Sequence, residues 1–193
     1  PLAVMQGELE HALQAAAPGS KEQQTFGALL EETQRLKRII RSLLLLAQAD
    51  AGRLPLVRQP VNLTEMLQGI IEDAKILAEE TKLHFEAELP ADVTLSADRA
   101  LLHTACFNLL VNAVKYNAPD GRVHVALTTQ NGRVTLTVGN SGSGIAPAEQ
   151  PKIFDRFHRM TAADGREVEG IGLGLSLARE IVRAHGGELI LQE

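Results

Sequence analysis

The apolar residues of this chain change period near residue 50, and that change divides the chain into two kinds of structure. Leu2, Met5, Leu9, Ala12 and Ala16 recur at alternating intervals of three and four, the seam of a helix packed on another helix. Ala15-Ala16-Ala17 favours helix and Pro18-Gly19-Ser20 ends it. A second helix is expected from about Glu22 to Ala49, with Phe26, Thr33, Ile40 and Ala47 in one heptad row and Leu29, Leu36 and Leu43 in the other. Glu31 precedes Arg35 by four residues, the favourable order for a surface ion pair. Leu30, Ile39, Leu44, Leu45 and Leu46 widen the apolar surface beyond a two-helix seam. A second copy, giving a four-helix bundle, is the expected completion; the other is packing of the hairpin on the rest of its own chain.

Ala51-Gly52-Arg53-Leu54-Pro55, with Pro60 after it, reads as a linker over residues 51–60. From Val61 onward helical and alternating patterns mix. Asn62 or Thr64 can cap a helix to about Thr81, with Leu67, Ile70, Ile71, Ala74, Leu77 and Ala78 on its apolar face. Leu83, Phe85, Ala87 and Leu89 alternate with polar residues, as in a half-buried strand, and Val93-Thr94-Leu95 makes a short one. Asp98 can cap a helix reaching Tyr116. Two alternating runs, Val123-Val125-Leu127 and Val134-Leu136-Val138, flank the turn signal Gln130-Asn131-Gly132-Arg133. Pro147 suits a first helical turn, and a last helix is expected from the glycine-rich stretch at 170–174 to about His185. Gly186-Gly187 ends it, and residues 188–191 begin a strand. The fold class expected is an α/β sandwich, with helices on one face of a mixed, largely antiparallel sheet.

Composition removes several alternatives. A net charge of −5 argues against a general nucleic-acid binder. One cysteine excludes an intrachain disulfide and a four-cysteine zinc site. The longest obvious apolar run, residues 43–47, follows closely on Arg41 and falls far short of the roughly 18 residues a membrane span needs. The chain opens at Pro1 without Met and stops just after Leu189-Ile190-Leu191, so both ends read as cut from something longer.

Four segments carry chemistry. Within the otherwise apolar helix from Asp98 to Tyr116, Asn108, Asn112 and Lys115 fall on one narrow stripe. Buried amides are costly unless something pairs them. An amide oxygen suits Mg²⁺, which uses few protein ligands plus substrate phosphates, and a lysine one turn on can neutralise a phosphate. The stripe therefore reads as a surface for a magnesium polyphosphate, or else as a solvated helix face. Gly170-Ile171-Gly172-Leu173-Gly174-Leu175 lets backbone N–H groups approach an anion and offers a helix N-terminus after it. Asn140-Ser141-Gly142-Ser143-Gly144-Ile145 follows a strand and leaves a slot where Asn140 can meet a base edge. Phe154-Asp155-Arg156-Phe157-His158-Arg159 and the polar residues 161–169 after it read as a flap with an aromatic hinge.

The order of these segments resembles the N, G1, F and G2 boxes of sensor histidine kinases. Asn108-Leu-Leu-Val-Asn112-Ala-Val-Lys115-Tyr116 is similar to the N box almost residue for residue, residues 177–187 resemble the family's last helix, and Pro1-Leu2 resembles the close of the H box. The resemblance implies a Bergerat-type ATP-binding sandwich over residues 61–193, after the linker and a dimerising helical hairpin over residues 1–50. It implies that Asn108 and Asn112 hold Mg²⁺, that Lys115 and the backbone at 172–175 hold phosphates, that Tyr116 lines the pocket and that Asn140 faces the adenine amino group. Gly142, Gly144 and Ile145 of the G1 box, Phe157 and Arg159 of the F box, and Gly170, Gly172, Leu173, Gly174 and Leu175 of the G2 box complete the implied ATP site. The implied activity passes the γ-phosphoryl group of ATP to a histidine and then to an aspartate of a response regulator. The parent is expected to be an inner-membrane sensor with this part in the cytoplasm, anchored only through upstream segments.

Two departures qualify this. The phosphoacceptor histidine is expected upstream of Pro1, so this chain holds no catalytic histidine and is not expected to phosphorylate itself; His11 lacks the box around it. The family's usual G1 aspartate is here Asn140. An asparagine can flip and donate where an aspartate only accepts, so weaker ATP binding and a looser choice against GTP are expected. Related ATPases carry a water-activating glutamate at the position of Asn108, so simple hydrolysis should be slow. The competing assignment is a non-catalytic nucleotide-binding interaction module of the same superfamily.

Overall fold

The computed structural model describes residues 1–160 and 170–192. They form two compact units, residues 1–50 and 51–193. The first holds α1 (Leu2–Ala15) and α2 (Lys21–Asp50). Ser20 Oγ accepts from the Gln23 amide at 3.1 Å and starts α2. Leu9, Ala12 and Leu13 of α1 are half-buried, as are Phe26 and Leu30 of α2, and Thr33 is buried, its hydroxyl donating to the Leu29 carbonyl at 2.8 Å. Met5, Leu29, Leu36, Ile40 and Leu43, expected in the seam, are instead exposed. For Ile40 and Leu43 the reason is length: α1 has 14 residues against 30 in α2; Met5, Leu29 and Leu36 are exposed within the stretch the two helices share, where Lys37 Nζ donates to Gln6 Oε1 at 3.2 Å. Arg35 pairs with Glu32 at 3.4 Å rather than with the Glu31 that the spacing favours.

The second unit runs β1 (Gln59–Asn62), α3 (Leu63–Leu77), a 3₁₀ turn at Glu79–Thr81, β2 (His84–Glu88), β3 (Thr94–Ala97), α4 (Arg99–Lys115), β4 (Arg122–Gln130), β5 (Arg133–Asn140), a 3₁₀ turn at Gln150–Lys152 and α5 (Gly174–Ala184). β1 pairs antiparallel with β3. The larger sheet has the order β2-β4-β5, with β2 parallel to β4 and β4 antiparallel to β5. Leu67, Ile70 and Ala74 of α3, Leu110 of α4 and Val123, Val125 and Leu127 of β4 are fully buried in one core, the burial that drives helices onto the sheet.

Asn62 caps α3, accepting from the Glu65 amide at 3.0 Å. Thr64 does not cap. Its buried hydroxyl donates to Pro90 O and accepts from the Val93 amide, pinning the turn before β3. Asp98 caps α4 and Tyr116 closes it. Asn131 and Gly132 both have positive φ, 51° and 76°, and form the two-residue link between Gln130 and Arg133.

Four expectations are corrected. β1 takes in Gln59 and Pro60, the last two residues of the stretch read as linker. Leu77 is exposed because α3 ends there. Pro147 lies in a turn, and the short helical element comes later, at Gln150–Lys152. Residues 188–191 form no strand.

Candidate functional site

The site is built on α4. Both ends of this helix are fixed from outside it. Asp98 Oδ1 accepts from the Leu101 amide and Oδ2 from the Val57 amide, each at 3.0 Å. Its own N–H donates to His185 Nε2 at 3.0 Å, while His185 Nδ1 lies 2.8 Å from Ile181 O. The neutral ring, with its proton on Nδ1, satisfies both contacts. Burial alone would push the Asp98 carboxyl up, but the amides of Leu101, Val57 and Ala100 together hold it below the usual carboxylate range. Cys106, on the inner face of α4, is buried, and burial pushes its thiol up to about 12.

Asn108 and Asn112 are half-buried rather than buried, and Lys115 is exposed. Neither carboxamide has a hydrogen-bond partner among the described residues. Asn108 faces the start of α5: a Cβ built on Gly174 would lie 3.5 Å from Asn108 Oδ1. Two unpaired neutral oxygens one turn apart, beside an ammonium, are a donor set that fits a magnesium ion sharing its ligands with phosphate.

Leu173 and Leu177 are buried and anchor the glycine loop, as the alternation of glycine and leucine suggests. No side chain caps the N-terminus of α5, which leaves its first amides open to an anion. Gly172 has φ 72° and accepts from the Phe157 amide through its carbonyl at 2.8 Å. Phe157 is itself left-handed, at φ 63°, and exposed. This contact brings the F and G2 segments together. His158 Nε2 lies 3.0 Å from Glu149 Oε2, and the Arg179 guanidinium stacks 5.2 Å over Phe154. Arg159 is exposed. The flap over residues 161–169 lies outside the described residues.

The G1 segment meets the end of α4. Asn140 Nδ2 donates to the Tyr116 carbonyl at 3.0 Å. Gly142 passes so close to Tyr116 that a side chain there would collide with its carbonyl oxygen. Ile145 O accepts from Gln150 Nε2 at 3.3 Å, and Gly144 has φ 72° with open space around it. Asn117, which lies outside the motifs, and Ser141, which falls inside the G1 segment with no role of its own, lace the two segments: Ser141 Oγ donates to Asn117 Oδ1 at 3.0 Å and accepts from the Arg122 amide at 2.7 Å, and Asn117 Nδ2 donates to Arg122 O at 2.9 Å. Their one local signal is position, each directly following a site residue, Tyr116 or Asn140.

The model of the family described as histidine kinase-, DNA gyrase B- and HSP90-like ATPase matches residues 97–193. The probable sensor protein PcoS of Escherichia coli is 33% identical over 193 residues, covering 100% of this chain and 41% of that protein. The probable sensor histidine kinase TcrY of Mycobacterium tuberculosis is 32% identical over 189 residues, covering 98% of this chain and 39% of that protein. The chain thus spans about two-fifths of the length of these curated relatives. Among solved structures, full-length ShkA in complex with AMPPNP superposes with a TM-score of 0.76 at 26% identity, over 95% of this chain and 39% of that one. The mycobacterial sensor histidine kinase MprB gives 0.59 at 32% identity, over 66% and 82%. With the N-, G1-, F- and G2-type segments meeting as they do around α4 and α5, the chain belongs to the histidine kinase-, DNA gyrase B- and HSP90-like ATPase family, and within it to the sensor histidine kinases.

Proposed function

We propose that residues 61–193 bind magnesium ATP and donate its γ-phosphoryl group to a histidine outside residues 1–193, from which it passes to an aspartate of a response regulator. Residues 1–50 form the homodimer and residues 51–60 link the two parts. The adenine lies at Asn140, with Gly142, Gly144, Ile145 and Tyr116 around it. Lys115 and the amides at the start of α5 take the phosphates, and Gly170 to Leu175 wrap them with Phe157 and Arg159 nearby. A magnesium ion held by Asn108 and Asn112 would supply charge neutralisation at the phosphates. These residues bind and orient; none removes a proton from water, because the position beside Asn112 that could hold a base holds Asn108. That favours transfer to a positioned acceptor over hydrolysis.

The observation that carries this reading is the approach of Asn108 to Gly174, which sets its unpaired amide oxygen, one helical turn from that of Asn112, beside an uncapped helix N-terminus. The likeness to ShkA, a structure solved with AMPPNP bound, supports the choice of nucleotide. The exposed Leu29, Leu36 and Leu43 row supports the dimer, since such a face on a helix is covered by a partner. The parent is proposed to be a membrane-anchored sensor with this part on the cytoplasmic side; no helix among the described residues is long and apolar enough to cross a membrane.

Titration calorimetry of the chain with ATP, with and without Mg²⁺, tests the binding step. Magnesium-dependent heat is expected, and its absence at millimolar nucleotide sinks the proposal. For the transfer step, the longer protein incubated with γ-labelled ATP should give an acid-labile, base-stable phosphohistidine.

A further inference from the structure

α4 and α5 are joined at two places. At one, Asn108 faces Gly174. At the other, His185, which closes α5, accepts from the amide of Asp98 at the start of α4. Asn108 lies ten residues from Asp98 and Gly174 eleven from His185. At the rise of an α-helix the joints are therefore about 15–17 Å apart along either helix. Two rods fastened twice at matching spacing move together, so a change at one joint is felt at the other.

The stretch read as linker is fastened at the joint far from Asn108. The Val57 amide donates to Asp98 Oδ2 at 3.0 Å. Arg58 donates from Nη1 to Ser96 O at 3.2 Å and from Nη2 to Ala184 O at 3.5 Å. β1 begins only at Gln59 and the Val57 side chain is exposed, so residues 57–58 are held by these bonds rather than by the ladder or by packing. The hold on Val57 depends on how Asp98 is set, and His185 sets it. With its proton on Nδ1, 2.8 Å from Ile181 O, the ring keeps Nε2 as an acceptor for the Asp98 N–H.

We infer that His185 and Arg58 are positioning residues that clamp the linker to the joined ends of α4 and α5, and that this clamp and the nucleotide site regulate each other through the two helices. This rests on the proposed placement of magnesium and phosphates at Asn108, Asn112 and the start of α5. Closure of the Asn108–Gly174 joint on a nucleotide favours the arrangement in which Asp98, Ala184 and His185 meet residues 57–58. By linkage, a held linker favours the nucleotide by the same factor.

The test combines hydrogen exchange of the Val57 amide, followed by NMR, with calorimetry of MgATP binding, both on the whole chain. Val57 should exchange at least about tenfold slower than a free amide, and saturating MgATP should slow it by a further factor of about five or more. Arg58→Met keeps the side-chain stem and loses the guanidinium. It should melt within about 2 °C of the parent chain, yet speed exchange at Val57 and lose about fivefold in MgATP affinity. His185→Gln offers an amide oxygen to the Asp98 N–H and should keep most of the protection at Val57; His185→Ala offers no acceptor and should lose it. That rescue separates an acceptor from a residue that merely fills space. Free-chain exchange at Val57 in the unaltered chain, equal exchange in the two His185 variants, or protection that MgATP leaves unchanged while calorimetry shows binding each overturns the inference and leaves the proposed function standing. Absence of magnesium-dependent heat removes the proposed function and the coupling with it.

Discussion

Gly172→Ala isolates the contact that joins the F and G2 segments. Gly172 has φ 72°, a conformation that costs an alanine about 1–2 kcal/mol. The added Cβ would lie 2.7 Å from Phe157 C and 2.8 Å from His158 N, and closer still to His158 O. All three are backbone atoms, so no rotamer change relieves them. Relief means moving residues 157–158 away, which breaks the 2.8 Å bond from the Phe157 amide to Gly172 O, a loss of about 1 kcal/mol. The total is about 2–3 kcal/mol. Expressed as global destabilisation, it would lower Tm by roughly 4–12 °C for a chain of this size. A local outlet exists, however. Phe157 is itself left-handed at φ 63° and exposed, so swinging the segment out releases its own strain and buries nothing less. The variant should therefore lose at most about 5 °C in Tm and at least about tenfold in MgATP affinity, because the loop proposed to meet the phosphates has lost its support. Gly69→Ala is the control. It lies on the exposed face of α3 with nothing within 4 Å of the added methyl, and alanine there should stabilise the helix by up to about 1 kcal/mol without touching affinity. Calorimetry and a thermal melt on both variants give the answer. If Gly172→Ala matched the parent chain in both affinity and Tm, backbone crowding at Gly172 would not be what shapes this loop.

Three further perturbations probe the helices themselves. Asp98→Ala leaves the Leu101 and Val57 amides without their acceptor and should cost about 1–2 kcal/mol at neutral pH, read by urea unfolding. Because the folded carboxyl sits below its usual range, its contribution is complete above the ordinary carboxylate value and fades as pH falls through the depressed one; the gap between parent and variant should shrink with acidification, and a gap that grew would refute the assignment. Cys106, buried with its thiol pushed up to about 12, should not react with a thiol reagent at about pH 8 until the chain is unfolded in denaturant, when one equivalent should react; prompt reaction of the folded protein would contradict the packing of α4. Leu36→Glu places a charge in the exposed apolar row of α2 and should convert a sedimenting dimer to monomer, whereas an unchanged dimer would move the interface elsewhere.

What could be foreseen, and what could not, follows the distance over which each feature is decided. The limits of α4 are local matters: Asp98 accepts from an amide three residues on, and Tyr116 closes the last turn. The β4–β5 link is equally local, since Asn131 and Gly132 tolerate the positive φ that a two-residue hairpin demands. β1 carries no signal of its own, because a four-residue edge strand containing Pro60 shows no alternation and exists only through its ladder with β3. The seam of the hairpin is half legible for a similar reason. Heptad spacing states which residues share a face of α2, but the short reach of α1 decides how far along the helix such a face can be covered.

The site divides along the same line. Which atoms are present is a matter of residue type, so carboxamides at 108 and 112 and glycines at 172 and 174 can be read as a candidate polyphosphate surface, and Asn140 with Gly142 as a candidate base slot. Which way those atoms point is not. Asn140 read alone is both donor and acceptor, and the choice is made by a backbone carbonyl 24 residues earlier in the chain. His185 likewise reads as an idle histidine on a helix end; it accepts from the amide of Asp98 across 87 residues and so steadies the first turn of the helix that bears Asn108 and Asn112. In both cases the partner is main chain, which looks the same at every position of a sequence. Direction at this site is thus conferred by the fold on residues whose chemistry would permit either orientation. That is why the way the amide at 140 points should respond to the closeness of Tyr116 and Gly142 as much as to the side chain itself.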